Sequence, residues 1–241
     1  MKTLQAAFAG MLLLGSAYVH AQTADEVVNK HIAAVGGANV IGSIKTITLE
    51  GELIANGTTF TNKVYAISGK AFKSEVTLPE QQISILECIT TDGGWTLNPF
   101  AGMTEAQPMP ADRVKAAQGD LDIGGKLYKY KEKGSTVELA GNESVDGVNT
   151  IKLKLKDKEG KETMYYLDPT SYYILKAETS TTGPDGQAVS IVSNFSDYRK
   201  TDIGYVVAFK RVRNVGMEIV NNINKVEFNK EIDPKVFEMP K

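Results

Sequence analysis

Residues 145–168 read VDGVNTIKLKLKDKEGKETMYYLD, and this stretch decides the fold class. Ile151, Leu153 and Leu155 alternate with Lys152, Lys154 and Lys156. That is the period of a strand with one face buried and the other in water. Just before it, Asp146-Gly147 is a two-residue hairpin signal, because both central residues of a type I′ turn take positive φ. Just after it, Glu159-Gly160 turns the chain into a second run from Thr163 to Asp168. Adjacent strands joined by tight turns predict an antiparallel sheet.

The same pattern recurs outward in both directions. Thr136 to Leu139 precedes the quoted stretch; Tyr172 to Thr181, Val189 to Tyr198, Tyr205 to Asn214 and Met217 to Phe228 follow it. Pro184-Asp185-Gly186 and Asn214 to Gly216 supply turns between them. In the first half, Ile47, Leu49 and Leu53 alternate with Thr48, Glu50 and Glu52 before the hairpin signal Asn56-Gly57. Runs from Thr58 to Ile67, Ala71 to Leu78, Gln82 to Thr91 and Trp95 to Leu97 complete the set. About eleven or twelve strands are expected, with no βαβ alternation, no repeat and no low-complexity linker. The fold class is mainly β.

Helices are few. Thr23 with Glu26 three residues on reads as a capping box, and Val28, Ile32 and Val35 form one apolar stripe ending at Gly36-Gly37. A short turn of helix is expected near Ala38 to Ile41, and another from Ala111 to Gln118. Between strands and helix, Asn98 to Asp112 holds Pro99, Pro108 and Pro110 together with Phe100, Met103 and Met109. This long loop reads either as a gate over an apolar cavity or as a segment packing its apolar side chains on the sheet. The ending from Ile232 to Pro240 reads as a turn that tucks Val236 and Phe237 against the sheet.

Residues 1–21 look like a secretory signal peptide: Lys2, an apolar run from Leu4 to Val19, and a small-residue site at Val19-His20-Ala21. The predicted mature domain is 22–241, exported and periplasmic, without a membrane span. Without Lys2, 26 basic residues stand against 29 acidic ones. So balanced a chain has no global pull toward nucleic acid or an anionic membrane.

Candidate chemistry is sparse. Beyond residue 21 there is one histidine, His31, and one cysteine, Cys88. A nucleophile–base pair or a zinc site needs more such groups at close spacing. His31 reads as a helix-packing residue and Cys88 as a buried structural thiol. Asp168-Pro169 and Asp233-Pro234 read as turn initiators. No catalytic residue, metal ligand or cofactor is expected. Lys210, Arg211 and Arg213 form the one basic cluster on an expected strand. Arg211 is read either as an arginine at the rim of an apolar pocket, where it meets an acidic group, or as a solvated strand end.

Several segments carry a resemblance. These are Thr23 to Glu26, His31 to Gly37, Asp92-Gly93-Gly94-Trp95, Met164 to Pro169, Phe195 to Lys200, and the ending through Phe237-Glu238-Met239-Pro240. In them the chain resembles the LolA/LolB-like periplasmic lipoprotein carriers, in particular the outer-membrane lipoprotein-sorting-like proteins of Bacteroidetes. The resemblance implies one curved antiparallel sheet of about eleven strands, an unclosed barrel with short helices over its concave face. It also implies a carrier or binding protein for a lipid or acylated ligand, possessing an apolar cavity and no catalysis. The residues expected to face that ligand are Ile47, Leu49, Leu53, Trp95, Phe100, Met103, Met109 and Arg211. The competing expectation is an envelope protein-interaction or sensor module without lipid cargo.

Overall fold

The structure is a computed structural model that describes residues 22–182 and 188–240. The expected signal segment and the Pro184-Asp185-Gly186 turn lie outside the described residues. After Thr23 the chain forms helix α1 (Ala24–Ala34) and the short α2 (Ala38–Ser43). The capping box forms as read: the Glu26 amide donates to Thr23 Oγ1 at 3.2 Å, and the Thr23 amide donates to Glu26 Oε2 at 2.9 Å.

Thirteen strands follow. Six precede the middle of the chain: β1 (Thr46–Ala55), β2 (Thr58–Ile67), β3 (Ala71–Leu78), β4 (Ile83–Thr90), β5 (Gly94–Leu97) and β6 (Gln107–Pro108). Seven follow it: β7 (Thr136–Val145), β8 (Val148–Lys156), β9 (Glu162–Leu167), β10 (Ile174–Thr182), β11 (Ala188–Lys200), β12 (Val206–Asn214) and β13 (Glu218–Phe228). The expectation of about eleven strands is therefore corrected to thirteen. The surplus includes β6, two residues long and hidden in a proline-rich stretch where no alternation has room to show.

All thirteen strands form one antiparallel sheet, ordered β6-β5-β4-β3-β2-β1-β13-β12-β11-β10-β9-β8-β7. Each half is a meander. The first runs from β1 outward to the edge strand β6; the second starts at the opposite edge, β7, and returns to β13 beside β1. Among the described residues β6 and β7 do not pair, so the sheet is not closed into a barrel. Tight turns set the register. Asn56-Gly57 (φ 48° and 77°) joins β1 to β2, and Asp146-Gly147 (φ 48° and 83°) joins β7 to β8. Both have the double positive φ of a type I′ hairpin.

One segment has to cross from edge to edge. It begins with α3 (Ala111–Ala117) and a 3₁₀ turn at Gln118–Leu121, then runs irregularly to Ser135. Its side chains and those of α1 build the largest core. Val27 and Val28 of α1 meet Leu127 and Tyr130 of the crossing segment over Ile151, Leu153, Leu155 and Leu167 of the sheet. The alternation in residues 151–155 thus directs its leucines inward beneath α1.

The other face has its own cluster. Cys88, Trp95 and Ala71 pack with Phe237 from a closing 3₁₀ turn at Pro234–Phe237. The Trp95 indole N–H donates to the Phe237 carbonyl at 2.9 Å. The expected tucking of Phe237 against the sheet is how the chain ends.

Candidate ligand cavity

Register places two sets of side chains on the same face from opposite halves of the sheet. Leu49 on β1 stands opposite Val64 on β2, and Arg211 on β12 stands between Phe195 on β11 and Asn221 on β13. These groups, with Phe72, Tyr165, Ile174 and Ile223, line a single cavity of about 540 Å³. A wall drawn from β1 to β3 and from β9 to β13 requires the sheet to wrap around that space. His31 and Ile32 of α1, with Val35 just after it, cover it on one side, and residues 124–128 of the crossing segment on another. Its size falls within the range of small-molecule pockets, roughly 300–1,000 Å³.

The wall is aliphatic and aromatic with a few polar groups. Tyr198 stacks on Tyr173 at 4.4 Å between centroids, and its hydroxyl donates to the Ile174 carbonyl. Tyr205 meets Phe228 edge-on at 5.8 Å. Burial pushes the Tyr165, Tyr198 and Tyr205 hydroxyls above the ordinary phenol value, so all three are neutral donors at pH 7. Strand pairing skips Asp197 and Phe209, with Asp197 at φ 54°. Beside this irregularity, both Tyr198 and Ala208 line the cavity along with Phe195 and Arg211.

Charge in the wall is of one sign. Lys126 and Arg211 line the cavity, and among the described residues no aspartate or glutamate does. Lys126 is bound to Asp157 at 3.1 Å. Arg211 donates to Ser193 Oγ at 3.3 Å and lies 5.7 Å from the Phe195 ring. Arg211 is exposed to solvent as well as lining the cavity; partial desolvation on its cavity side, followed by the like charge of Arg213, lowers its pKa. His31 Nδ1 lies 2.9 Å from the Tyr172 carbonyl. A carbonyl only accepts, so the ring carries its proton on Nδ1. Burial lowers its pKa.

The expected site residues scatter. Leu49 and Arg211 line the cavity. Ile47 and Leu53 share the face of Leu49, at opposite ends of β1. Met109 is buried with Ile89 and Leu121, and its amide donates to the Gly94 carbonyl at 2.8 Å. Phe100 is 55% exposed and meets Phe60 edge-on at 6.4 Å, while Met103 is half-buried. The proline-rich loop is thereby tied to the sheet edge through β6. Trp95 is 6% exposed on the opposite face, alternating with Gly94 and Thr96, and does not line the cavity. Sequence reasoning missed Tyr165, Tyr198, Tyr205 and residues 124–128. The aromatics of Met164 to Pro169 and Phe195 to Lys200 are the available signal for Tyr165 and Tyr198; Tyr205 and residues 124–128 carry no comparable one.

Among the described residues no group of three or more His, Cys, Asp or Glu side chains converges to hold a metal ion. No described helix is long and apolar enough to cross a membrane.

Comparison with protein-family models finds no match, and no curated protein matches in sequence. Solved structures do match in fold. A LolA superfamily protein from Nitrosomonas europaea superposes with a TM-score of 0.58 at 13% identity, covering 90% of this chain and 98% of that one. A DUF1329 family protein from Desulfovibrio piger gives 0.57 at 14%, covering 89% and 97%. A domain assigned to an outer membrane lipoprotein-sorting protein from Vibrio parahaemolyticus gives 0.55 at 16%, covering 88% and 94%. At such identities the likeness establishes fold and nothing finer: this chain has a LolA-like fold.

Proposed function

We propose that this protein is a non-enzymatic carrier that holds a lipid or the acyl chain of an acylated ligand, in the periplasm of the cell that exports it. The observation that carries the reading is the cavity of about 540 Å³, walled mainly by apolar and aromatic side chains inside a wrapped sheet. Each methylene moved from water into such a wall contributes about 0.8 kcal/mol, so a chain of ten or more carbons needs few polar contacts to bind. The LolA-like fold and the name of the Vibrio neighbour, a lipoprotein-sorting domain, support the same cargo class. The apolar first segment, residues 1–21, supports export.

The cavity is partly open, and covering elements stand over the rest of it. Helix α1 and the crossing segment meet through Val27, Val28, Leu127 and Tyr130, and both contribute side chains to the cavity wall. Bound chain would replace solvent against Ile32, Val35 and Leu127 without breaking a strand pairing.

Native mass spectrometry on protein purified without detergent, followed by solvent extraction, tests this reading. An extractable acyl species in near-stoichiometric amount is the expected result. Protein that arrives empty and also refuses added fatty acid and lipopeptide would remove the carrier reading and favour an envelope interaction module.

A further inference from the structure

The chain has four arginines, and they divide into two kinds. Arg113 and Arg199 pair with Glu87 and Asp197 at 3.3 and 2.6 Å. Arg211 and Arg213 do not: no carboxylate of the described residues lies within 4.0 Å of either guanidinium. The two stand one rung apart on β12, opposite Phe195 and Ser193 of β11, so they share one face of the sheet. Arg211 opens directly into the cavity, and the Nε of Arg213 is buried without an acceptor.

Neighbouring cations repel each other, and although Arg211 is exposed, the Arg213 Nε is shut off from the water that would offset its missing acceptor. Asp120, on the 3₁₀ turn after α3, is the acid that senses both arginines, but it makes no ion pair with them. Its pKa is raised by burial and by Glu87 and lowered by the two arginines, and it stays outside ion-pair distance of both guanidinium groups. Among the described residues the cavity wall contributes no acid, and its other cation, Lys126, is occupied by Asp157. What the arrangement lacks is an anion, and the guanidinium fork matches the paired oxygens of a carboxylate or phosphate.

We propose that Arg211 and Arg213 read an acidic headgroup, so that the ligand is an anionic amphiphile with its chain in the apolar cavity and its charged oxygens on the guanidinium pair. This rests on the carrier reading above and narrows its substrate class. A neutral lipid of equal chain length gains the apolar contacts only. A free anion gains the charge contacts only.

Isothermal titration of the purified protein with dodecanoate, dodecyl phosphate, dodecanol, acetate and inorganic phosphate separates these contributions. The acid and the phosphate ester should bind at least about tenfold tighter than dodecanol, and acetate and inorganic phosphate should give no measurable binding. Whichever of the two anionic amphiphiles binds tighter identifies the headgroup. Arg211→Gln and Arg213→Gln should each weaken dodecanoate by roughly tenfold and leave dodecanol unchanged. Equal affinity of the wild-type protein for dodecanoate and dodecanol would overturn the headgroup proposal, needing no variant to fold, and would leave the carrier reading standing. Inorganic phosphate binding as tightly as dodecyl phosphate would also overturn it, as an anion site without a chain. If none of the long-chain probes binds, the carrier reading fails and this proposal with it.

Discussion

Two side chains show how burial rather than partnership sets behaviour in this protein. His31 sits in the last turn of α1, where the helix end favours a proton, yet burial outweighs that and holds its pKa below 6.5. Between the folded value and 6.5 the unfolded chain binds a proton that the folded chain does not. Stability therefore falls as pH drops below about 6.5 and is unaffected by this group above it. Urea unfolding at pH 7 and pH 5 checks this. His31→Asn should flatten the difference between the two, and an equally steep loss in the variant would contradict the assignment. Cys88 behaves alike: burial pushes its thiol up to about 11, and its Sγ faces the Phe237 carbonyl at 3.4 Å. It should resist a thiol-specific disulfide reagent at pH 8 in the folded protein and react at once in denaturant. Both residues were legible as packing residues. That His31 also borders the cavity was not, because a helical stripe does not say what lies beneath it.

At the scale of elements, the seam between β1 and β13 is where the two meanders become one sheet. Pairing there shifts between Glu50 and Gly51, and a Cβ on Gly51 would lie 2.1 Å from the Asn222 carbonyl oxygen. Backbone cannot retreat from that contact without parting the strands, so Gly51→Ala should destabilise by about 1–3 kcal/mol, read as the shift in the urea midpoint. A neutral result would mean that the seam is looser than its register implies. Strands with clear turns on both sides were the most legible: β2 and β3 begin and end where Asn56-Gly57, Ser68-Gly69 and Pro79 place them. Strand β6 and the extension of β7 to Val145 were not, since Gln107–Pro108 is too short for a period and residues 140–144 are mostly polar. Alternation also gives no sign of which face is which. Trp95 and Leu49 both alternate, yet one packs under Phe237 and the other borders the cavity.

For the whole molecule, the consequential feature is the chain's single crossing from edge β6 to edge β7. The segment at 122–135 offers the turn signal Gly124-Gly125 and a brief alternation of Tyr128 and Tyr130 with lysines. Yet it forms neither strand nor helix, so its place was not legible in the sequence. Only the sheet order shows that it must span the open side, and that is why Gly124 to Tyr128 came to line the cavity. Together with α1 it forms a cover whose removal leaves the strand pairings intact. Hydrogen exchange should accordingly slow in α1 and in residues 122–135 on addition of dodecanoate, with the β8 and β9 amides unchanged. Protection spread evenly over the sheet would instead indicate global stabilisation. Whether the cavity receives an acyl chain is decided by a crystal grown with 12-bromododecanoate. An anomalous bromine peak should appear inside the wall formed by Leu49, Val64, Phe72, Tyr165 and Ile223; a peak found only on the outer surface or between molecules would rule out a chain held in the cavity.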